Sequence, residues 1–392
     1  MTKKISAHVD YVGVNDPELR KFDVVYETRF GTTYNSYLVR GPVASALVDT
    51  VKNEFSKEFL ENLRSLIDLK KLDYVVINHV EPDHSGALED LLREAPQARV
   101  VSTKVAAGFL REILNREVEV QTVGTGDSLP LGGDLALTFY NAPFLHWPET
   151  MFTYLEGDKV LFPCDFFGSH YGEETVTYRV TREEMEANEA LYFKAIMKPF
   201  SKFALEAMGK IQDLSVEIIC PSHGPVHMGD FQERLARYRG YAAPGYSGNR
   251  ILVGYLSCYG YTKELAEAVD RGIRDAGIET VLADLSLLAP EEAAALAEDS
   301  MGLAVGSATI NRDVIHIFYD IFSRVSAYTV RERPAAAFGS FGWSGEAVKH
   351  MGQRLEELGY QMVGTMRTKL KPDPEALKEA YELGAQLAKS FA

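Results

Sequence analysis

From Ile251 onward, five apolar runs alternate with helical stretches: ILVGYLS, ETVLADLS, GLAVGSA, AAAFGSFG and MVGTMRT, with helices expected from about 262, 290, 313, 345 and 374. Runs that are apolar at successive positions, rather than at every second one, belong to strands buried on both faces. Strand–helix–strand connections achieve that by laying helices over both sides of a parallel sheet. The alternation therefore predicts a doubly wound, five-stranded α/β unit. It also directs attention to the loops at the carboxyl ends of the strands, where open sheets of this kind bind ligands.

Residues 1–248 have a different rhythm. Short strand-like runs (SALVDT, YVVINHV, ARVVST, LALTFYNA, KVLFPCD) are followed by a helical stretch around 182–212 and by SVEIICPS. Between the halves, RGYAAPGYSGN at 239–249 gathers Gly, Pro, Ser and Asn without periodicity, which places a boundary there and gives two domains, 1–248 and 249–392. A chain of 392 residues is long enough for two separate cores. With 41 Lys and Arg against 56 Asp and Glu, the formal charge of -15 opposes a phosphate backbone, so nucleic acid is not an expected partner. No apolar run approaches the length of a bilayer span, and no secretory leader is recognisable, so a soluble, cytoplasmic protein without a membrane partner is expected. Cys164, Cys220 and Cys258 are far apart and form no C-x-x-C, which argues against a disulfide framework and against a cysteine-held metal.

The stretch NHVEPDHSG offers His79, Glu81, Asp83 and His84 within six positions. Alternate residues share a face while strand geometry lasts, which aims His79 and Glu81 together, and the following turn re-aims Asp83 and His84. Later strand ends add His146 in FLHWPE, Asp165 in FPCDFFG and His223 in PSHGPVH, for a total of four imidazoles and three carboxylates. Each of the later residues alone reads equally well as a structural or surface group. One ion takes about four to six donors, so seven suit two ions that share a bridging carboxylate.

This pattern resembles the metallo-β-lactamase superfamily, whose hydrolases carry H-x-H-x-D-H here and bind paired zinc, and the resemblance implies an αββα sandwich. Glu81 stands where that motif has its second histidine. A carboxylate there hardens the donor set and moves preference from zinc toward iron.

In the second half, ILVGYLSCYGYTKELAEAV ends a strand at Ser257, turns through Cys258, Tyr259, Gly260 and Tyr261, and opens a helix at Thr262. Backbone N–H groups, hydroxyls and a helix N-terminus aimed together suit an anion. Two more strand-end loops qualify: GSATINRD, with Ser307, Ala308, Thr309, Ile310 and Asn311, and FGSFGWSGEA, with Ser340, Phe341, Gly342, Trp343, Ser344 and Gly345. Phe341 and Trp343 among small residues suit a flat ring system. This half resembles a flavodoxin, and Ser257, Gly260 and Thr262 match the flavodoxin phosphate signature Ser/Thr-x-Thr-Gly-x-Thr, with Tyr259 in place of its Thr. The ligand so implied is FMN, its isoalloxazine ring between the loops at 307–311 and 340–345.

Taken together with GTTYNSYLV near the start and FGSFGWSGEA near the end, the chain resembles along its whole length the flavodiiron proteins, the family that includes rubredoxin:oxygen oxidoreductase. The resemblance implies one iron on His79, Glu81 and His146, a second on Asp83, His84 and His223, and Asp165 as the bridge. It also implies reduction of dioxygen to water, of nitric oxide to nitrous oxide, or of both. Two ferrous ions and a reduced flavin hold the four electrons that dioxygen needs, and half that supply joins two nitric oxide molecules. Tyr26, Trp147, His170 and Tyr192 are candidates for contacts behind the metals, with packing the default role of each. In the family, each flavin faces the partner's irons in a head-to-tail homodimer, so a homodimer or a dimer of dimers is expected. With one flavodoxin-like unit and no C-x-x-C, the expected external donor is a separate protein, rubredoxin, or reduced deazaflavin. Two competing readings are a dinuclear metal hydrolase with a redox-sensing flavodoxin-like domain, and an electron-carrying or gas-sensing module without turnover. Glu81 favours iron redox chemistry over both.

Overall fold

The computed structural model describes residues 2–172, 181–243 and 249–391. Contacts divide the chain into two units, Met1–Ala243 and Pro244–Ala392. The boundary expected at 248 and 249 borders residues 244–248, which lie outside the described residues.

The first unit is built on two sheets. The seven-stranded one runs in the order Lys3–Lys4, Val9–Tyr11, Tyr37–Arg40, Ser45–Val48, Tyr74–Val76, Arg99–Ser102 and Val120–Thr122. It is antiparallel up to Ser45–Val48 and parallel beyond. The six-stranded one runs Ser128–Gly132, Leu135–Asn141, Met151–Leu155, Val160–Phe162, Ile218–Ile219 and His227–Met228. Alternation along each strand fills both faces. Val39, Val48, Val76 and Val101 meet Leu129, Leu137, Phe139 and Phe162 between the sheets. Leu38, Leu47, Val75 and Val100 turn outward onto Phe59, Leu63, Leu88, Leu91 and Leu110. Those belong to the helices Ser56–Arg64, Leu88–Glu94 and Lys104–Leu114. On the other outer face, Phe152, Tyr154 and Leu161 lie under Phe193, Ala207, Met208, Ile211 and Tyr238. The result is an αββα sandwich in which each fully buried large side chain contributes roughly 1.5–3 kcal/mol.

The helical stretch expected at 182–212 is interrupted. An α-helix Arg182–Tyr192 passes into a π-turn Phe193–Met197 and a tight turn Lys198–Phe200 before Ser201–Ile211 resumes. Pro199 lacks the amide needed to continue the ladder. A Thr181–Glu184 capping box starts the first helix.

The second unit has five parallel strands in the order Glu279–Asp284, Arg250–Leu256, Gly302–Ile310, Pro334–Phe341 and Gln361–Lys369. This is the 2-1-3-4-5 order of flavodoxin-like folds. Helices Tyr261–Asp275 and Pro374–Lys389 cover one face, and Pro290–Glu298, Ile317–Phe322 and Ala347–Glu357 the other. The first pair crosses at glycines: a Cβ on Gly272 would sit 2.0 Å from the Tyr381 carbonyl oxygen, and one on Gly384 2.1 Å from that of Val269. The helix expected from about 313 begins at Ile317. Asn311 and Arg312 both have positive φ, which folds the chain back so that Asp313–Val314 pairs with Thr309–Ile310. No helix among the described residues is long and apolar enough to cross a membrane.

Candidate metal centre

The strand that was expected to carry His79 and Glu81 stops at Val76, and Pro82–Ser85 forms a single helical turn with Pro82 at its start. The loop between them nevertheless aims both side chains at one point. Glu81 Oε2 is 3.2 Å from His79 Nε2 and 3.0 Å from His146 Nε2. On the other side, Asp83 Oδ2 is 3.1 Å from His223 Nε2, and Asp83 Oδ1 is 3.3 Å from His84 Nε2. Asp165 stands between the two groups with one oxygen toward each. Its Oδ1 lies 3.1 Å from His84 and 3.3 Å from His223, and its Oδ2 lies 3.6 Å from His79 and 3.8 Å from His146.

All seven side chains predicted as metal ligands are thus brought together, in two groups that share Asp165. Neighbouring donors on one ion with bonds of about 2.1 Å are about 3 Å apart when they subtend a right angle, which is the spacing seen within each group. Hydrogen bonding accounts for only part of the convergence: His79 Nε2 bonds Glu81 Oε2, but both Asp83 oxygens, His84 Nε2 and Asp165 Oδ2 are buried without a hydrogen-bond partner among the described residues. Orphaned polar atoms of this kind are costly unless something polar fills the space. The donor set fits a pair of cations.

The electrostatics agree. Burial alone would keep His79 neutral, but Glu149, Glu81 and Asp165 outweigh it and raise its pKa well above the ordinary value. Burial likewise opposes charge on His84, yet Asp83 and Asp165 lift it to about 9. Burial opposes charge on Asp165 too, and the imidazoles of His84, His223 and His79 hold it far below the carboxylate range. Protons on the imidazoles and divalent cations meet the same demand for positive charge.

Sequence reasoning missed several supports. Glu149, buried in the same loop as His146, has Oε1 2.6 Å from His79 Nδ1 and accepts the Val80 N–H at 3.1 Å. Its place three residues after His146 is the one available signal. His223 Nδ1 lies 2.6 Å from the Thr33 carbonyl oxygen, a contact that no side-chain pattern announces. Phe22, in the hairpin of Lys21–Phe22 and Tyr26–Glu27, lies 4.5 Å from the His170 ring and 5.2 Å from that of His223.

The four residues proposed behind the metals differ in what they do. Tyr192 donates its hydroxyl to Asp165 Oδ1 at 3.1 Å, and burial, reinforced by Asp165, keeps the phenol protonated. His170 pairs Nδ1 with Thr32 Oγ1 at 3.1 Å, while burial and the charge of His223 push its pKa down to about 3. Trp147 stands edge-on to His79 at 5.3 Å. Tyr26 donates to the Ala195 carbonyl, away from the donor atoms.

In the second unit the three predicted loops follow neighbouring strands. Ser257 Oγ accepts the Gly260 N–H at 3.1 Å, and Gly260, at φ 88°, turns the chain into the helix in a left-handed conformation that glycine adopts freely. Thr262 Oγ1 meets Ser340 Oγ at 2.8 Å, tying the first loop to the third, and both residues are buried. Ser307 Oγ accepts the Ile315 N–H at 3.3 Å, and Arg312 pairs with Glu346 at 3.0 Å across the second and third loops. Tyr259 and Trp343 are 86% and 91% exposed, which leaves two aromatic faces at these loops for a planar ligand. Phe341 packs under the Arg367 guanidinium instead.

Comparison with known proteins gives consistent results for the two units. A family profile described as ODP family beta lactamase matches residues 32–224, and one described as Flavodoxin matches 253–384. A flavo-diiron protein of Clostridium acetobutylicum is 36% identical over 400 residues, covering 99% of each chain. An anaerobic nitric oxide reductase flavorubredoxin of Escherichia coli K12 is 34% identical over 399 residues, covering 100% of this chain and 83% of the relative. Among solved structures, the rubredoxin oxygen:oxidoreductase of Desulfovibrio gigas superposes with a TM-score of 0.72 at 28% identity, covering 100% of this chain and 98% of that one. The flavodiiron protein of Giardia intestinalis gives 0.68, also at 28%, with 99% and 96% covered.

Proposed function

The chain belongs to the flavodiiron protein family, and from that premise we propose that it is an oxidoreductase that reduces dioxygen to water, nitric oxide to nitrous oxide, or both, with a non-haem diiron centre and FMN. The observation that carries this reading is the pair of donor groups joined through Asp165, with Glu81 where the zinc hydrolases have an imidazole. A hydrolase reading is not favoured. In the proposed assignment His79, Glu81 and His146 hold one iron, Asp83, His84 and His223 the other, and Asp165 both. FMN is held by the loops of Ser257–Thr262, Ser307–Asn311 and Ser340–Gly345.

When bound, the irons and the flavin supply the electrons, four for dioxygen and two for a pair of nitric oxide molecules, together with the positions at which the gas reacts. The protein contributes charge and position. Glu81, Asp83, Asp165 and Glu149 provide four carboxylates to offset two divalent cations in a buried site. Tyr192 keeps a proton at Oη beside Asp165 Oδ1, where it can be offered to oxygen or nitrogen atoms reduced nearby. His170, neutral at working pH, holds Thr32 Oγ1 without adding positive charge. Phe22, Trp147 and Tyr192 line the donor cluster with rings that exclude water.

We place the chain in a head-to-tail homodimer or a dimer of dimers, with rubredoxin or reduced deazaflavin as the donor, on the family resemblance. The deciding experiment is metal and flavin analysis of the purified protein, then anaerobic reduction and separate exposure to each gas. Two irons per FMN and rapid gas consumption are expected, and a zinc-loaded, gas-inert sample overturns the reading.

Two smaller effects follow. Tyr192→Phe should retain both irons and slow gas reduction about tenfold, the lower end of what losing such an outer contact costs; single-turnover stopped-flow measurements check it. Thr262→Val removes the hydroxyl that joins the first and third loops but keeps the buried shape. A lost hydrogen bond near a charged ligand costs about 1.5–3 kcal/mol, so FMN should dissociate roughly ten- to a hundredfold more readily in fluorescence titration of the deflavinated protein.

A further inference from the structure

The two metal positions have unequal support from behind. His79 Nδ1 lies 2.6 Å from a carboxylate oxygen of Glu149, and both residues are fully buried. His223 Nδ1 lies 2.6 Å from a neutral carbonyl oxygen, that of Thr33. His84 Nδ1 is buried with no hydrogen-bond partner among the described residues. An anion behind a ligating imidazole fixes the ring and makes its other nitrogen a stronger donor, whereas a carbonyl fixes the ring with less charge. An unsupported ring is fixed only by packing.

We infer that Glu149 is a positioning residue that makes the pair of metal positions unequal: the one formed by His79, Glu81, His146 and Asp165 binds its ion more tightly, and the one formed by Asp83, His84, His223 and Asp165 gives up its ion first. The charge count points the same way. Glu81 and Glu149 belong to the first position alone, Asp83 to the second, and Asp165 is shared. The first position therefore carries one more carboxylate than the second. Glu149 Oε2 is buried without a hydrogen-bond partner among the described residues, so the carboxylate's one side-chain hydrogen bond there is to the His79 ring, through which its charge acts on the ion in front. The loop Ala142–Thr150 thus contributes twice to one ion, through His146 directly and through Glu149 from behind. This inference rests on the diiron reading of the site.

The test is equilibrium dialysis of the iron-loaded, FMN-containing protein against graded concentrations of a ferrous chelator, followed by metal analysis and Mössbauer spectra. Equilibrium measurement is required because the His79 position is the more open one at His146 and Glu81, and removal rates would report access. The unaltered protein should lose its irons in two steps and pass through a one-iron form. Glu149→Gln keeps the shape and an oxygen facing His79 Nδ1 but removes the charge. It should bring the two steps together by weakening one ion about tenfold and change the Mössbauer signal of one iron only, at unchanged flavin content and melting temperature. Glu149→Ala, if it folds, should widen the loss toward a hundredfold. A Glu149→Gln protein with the same two steps and the same spectra overturns the inference and leaves the diiron reading intact. Failure of the unaltered protein to hold two irons defeats the reading itself.

Discussion

Asp165→Asn is expected to purify with its FMN and almost no iron, and to reduce neither gas measurably. Among the described residues, Asp165 is the one side chain whose two oxygens face both donor groups, at 3.1 and 3.3 Å from His84 and His223 and 3.6 and 3.8 Å from His79 and His146. Asparagine has the same outline, so packing against Tyr192 survives, but it offers one oxygen and turns an NH2 toward the other position. An N–H facing a cation repels it, and the shared negative charge is gone. Removing one member of a buried ionic cluster costs about 3–5 kcal/mol, which corresponds to roughly a hundred- to several-thousandfold in apparent metal affinity. FMN is retained because its proposed loops lie in the second unit. Iron and flavin assays on one sample check both halves of this expectation, and a variant that keeps two irons and full turnover removes Asp165 from its role.

What the sequence could and could not convey follows from the reach of each interaction. The second unit was readable because strands such as Arg250–Leu256 and Gly302–Ile310 are buried on both faces, and continuous apolar runs record that directly. The start of the helix after 313 was misplaced because two positive φ values at Asn311 and Arg312 reverse the chain, and neither residue type requires such a φ. In the first unit SVEIICPS looked like a full strand, but only Ile218 and Ile219 pair, between Val160–Phe162 and His227–Met228. That length is set by its partners, one strand 58 residues earlier and one only 8 to 10 residues later, and not by the run itself. The candidate metal ligands were legible because four potential ligand side chains within six residues are rare in a solvated loop. Glu149 was not, since its role depends on a ring 70 positions earlier, and the Thr33 carbonyl has no side-chain signature at all.

Glu81→His tests why this lactamase-like site takes iron. The change restores H-x-H-x-D-H, and an imidazole reaches about as far as the glutamate carboxylate it replaces. The new nitrogen can therefore meet the ion now facing Glu81 Oε2, which lies 3.2 Å from His79 Nε2 and 3.0 Å from His146 Nε2. Two consequences follow for that position. It loses its only unshared carboxylate ligand, so the charge that offsets a second divalent cation falls, and its donors become three imidazoles and one oxygen of Asp165. Imidazole-rich four-coordinate sets suit zinc, and zinc outranks ferrous iron in intrinsic affinity for most sites, so only the hard carboxylate resists it. The variant should purify with zinc at the His79 position, keep FMN, and reduce dioxygen and nitric oxide at least about a hundredfold more slowly, because zinc has no redox step to offer. Metal analysis after growth with both metals supplied, together with gas-electrode assays, measures both outcomes. A Glu81→His protein that still selects iron and still consumes gas would move the source of selectivity away from Glu81 and onto the surrounding carboxylates, with Glu149 the first to examine.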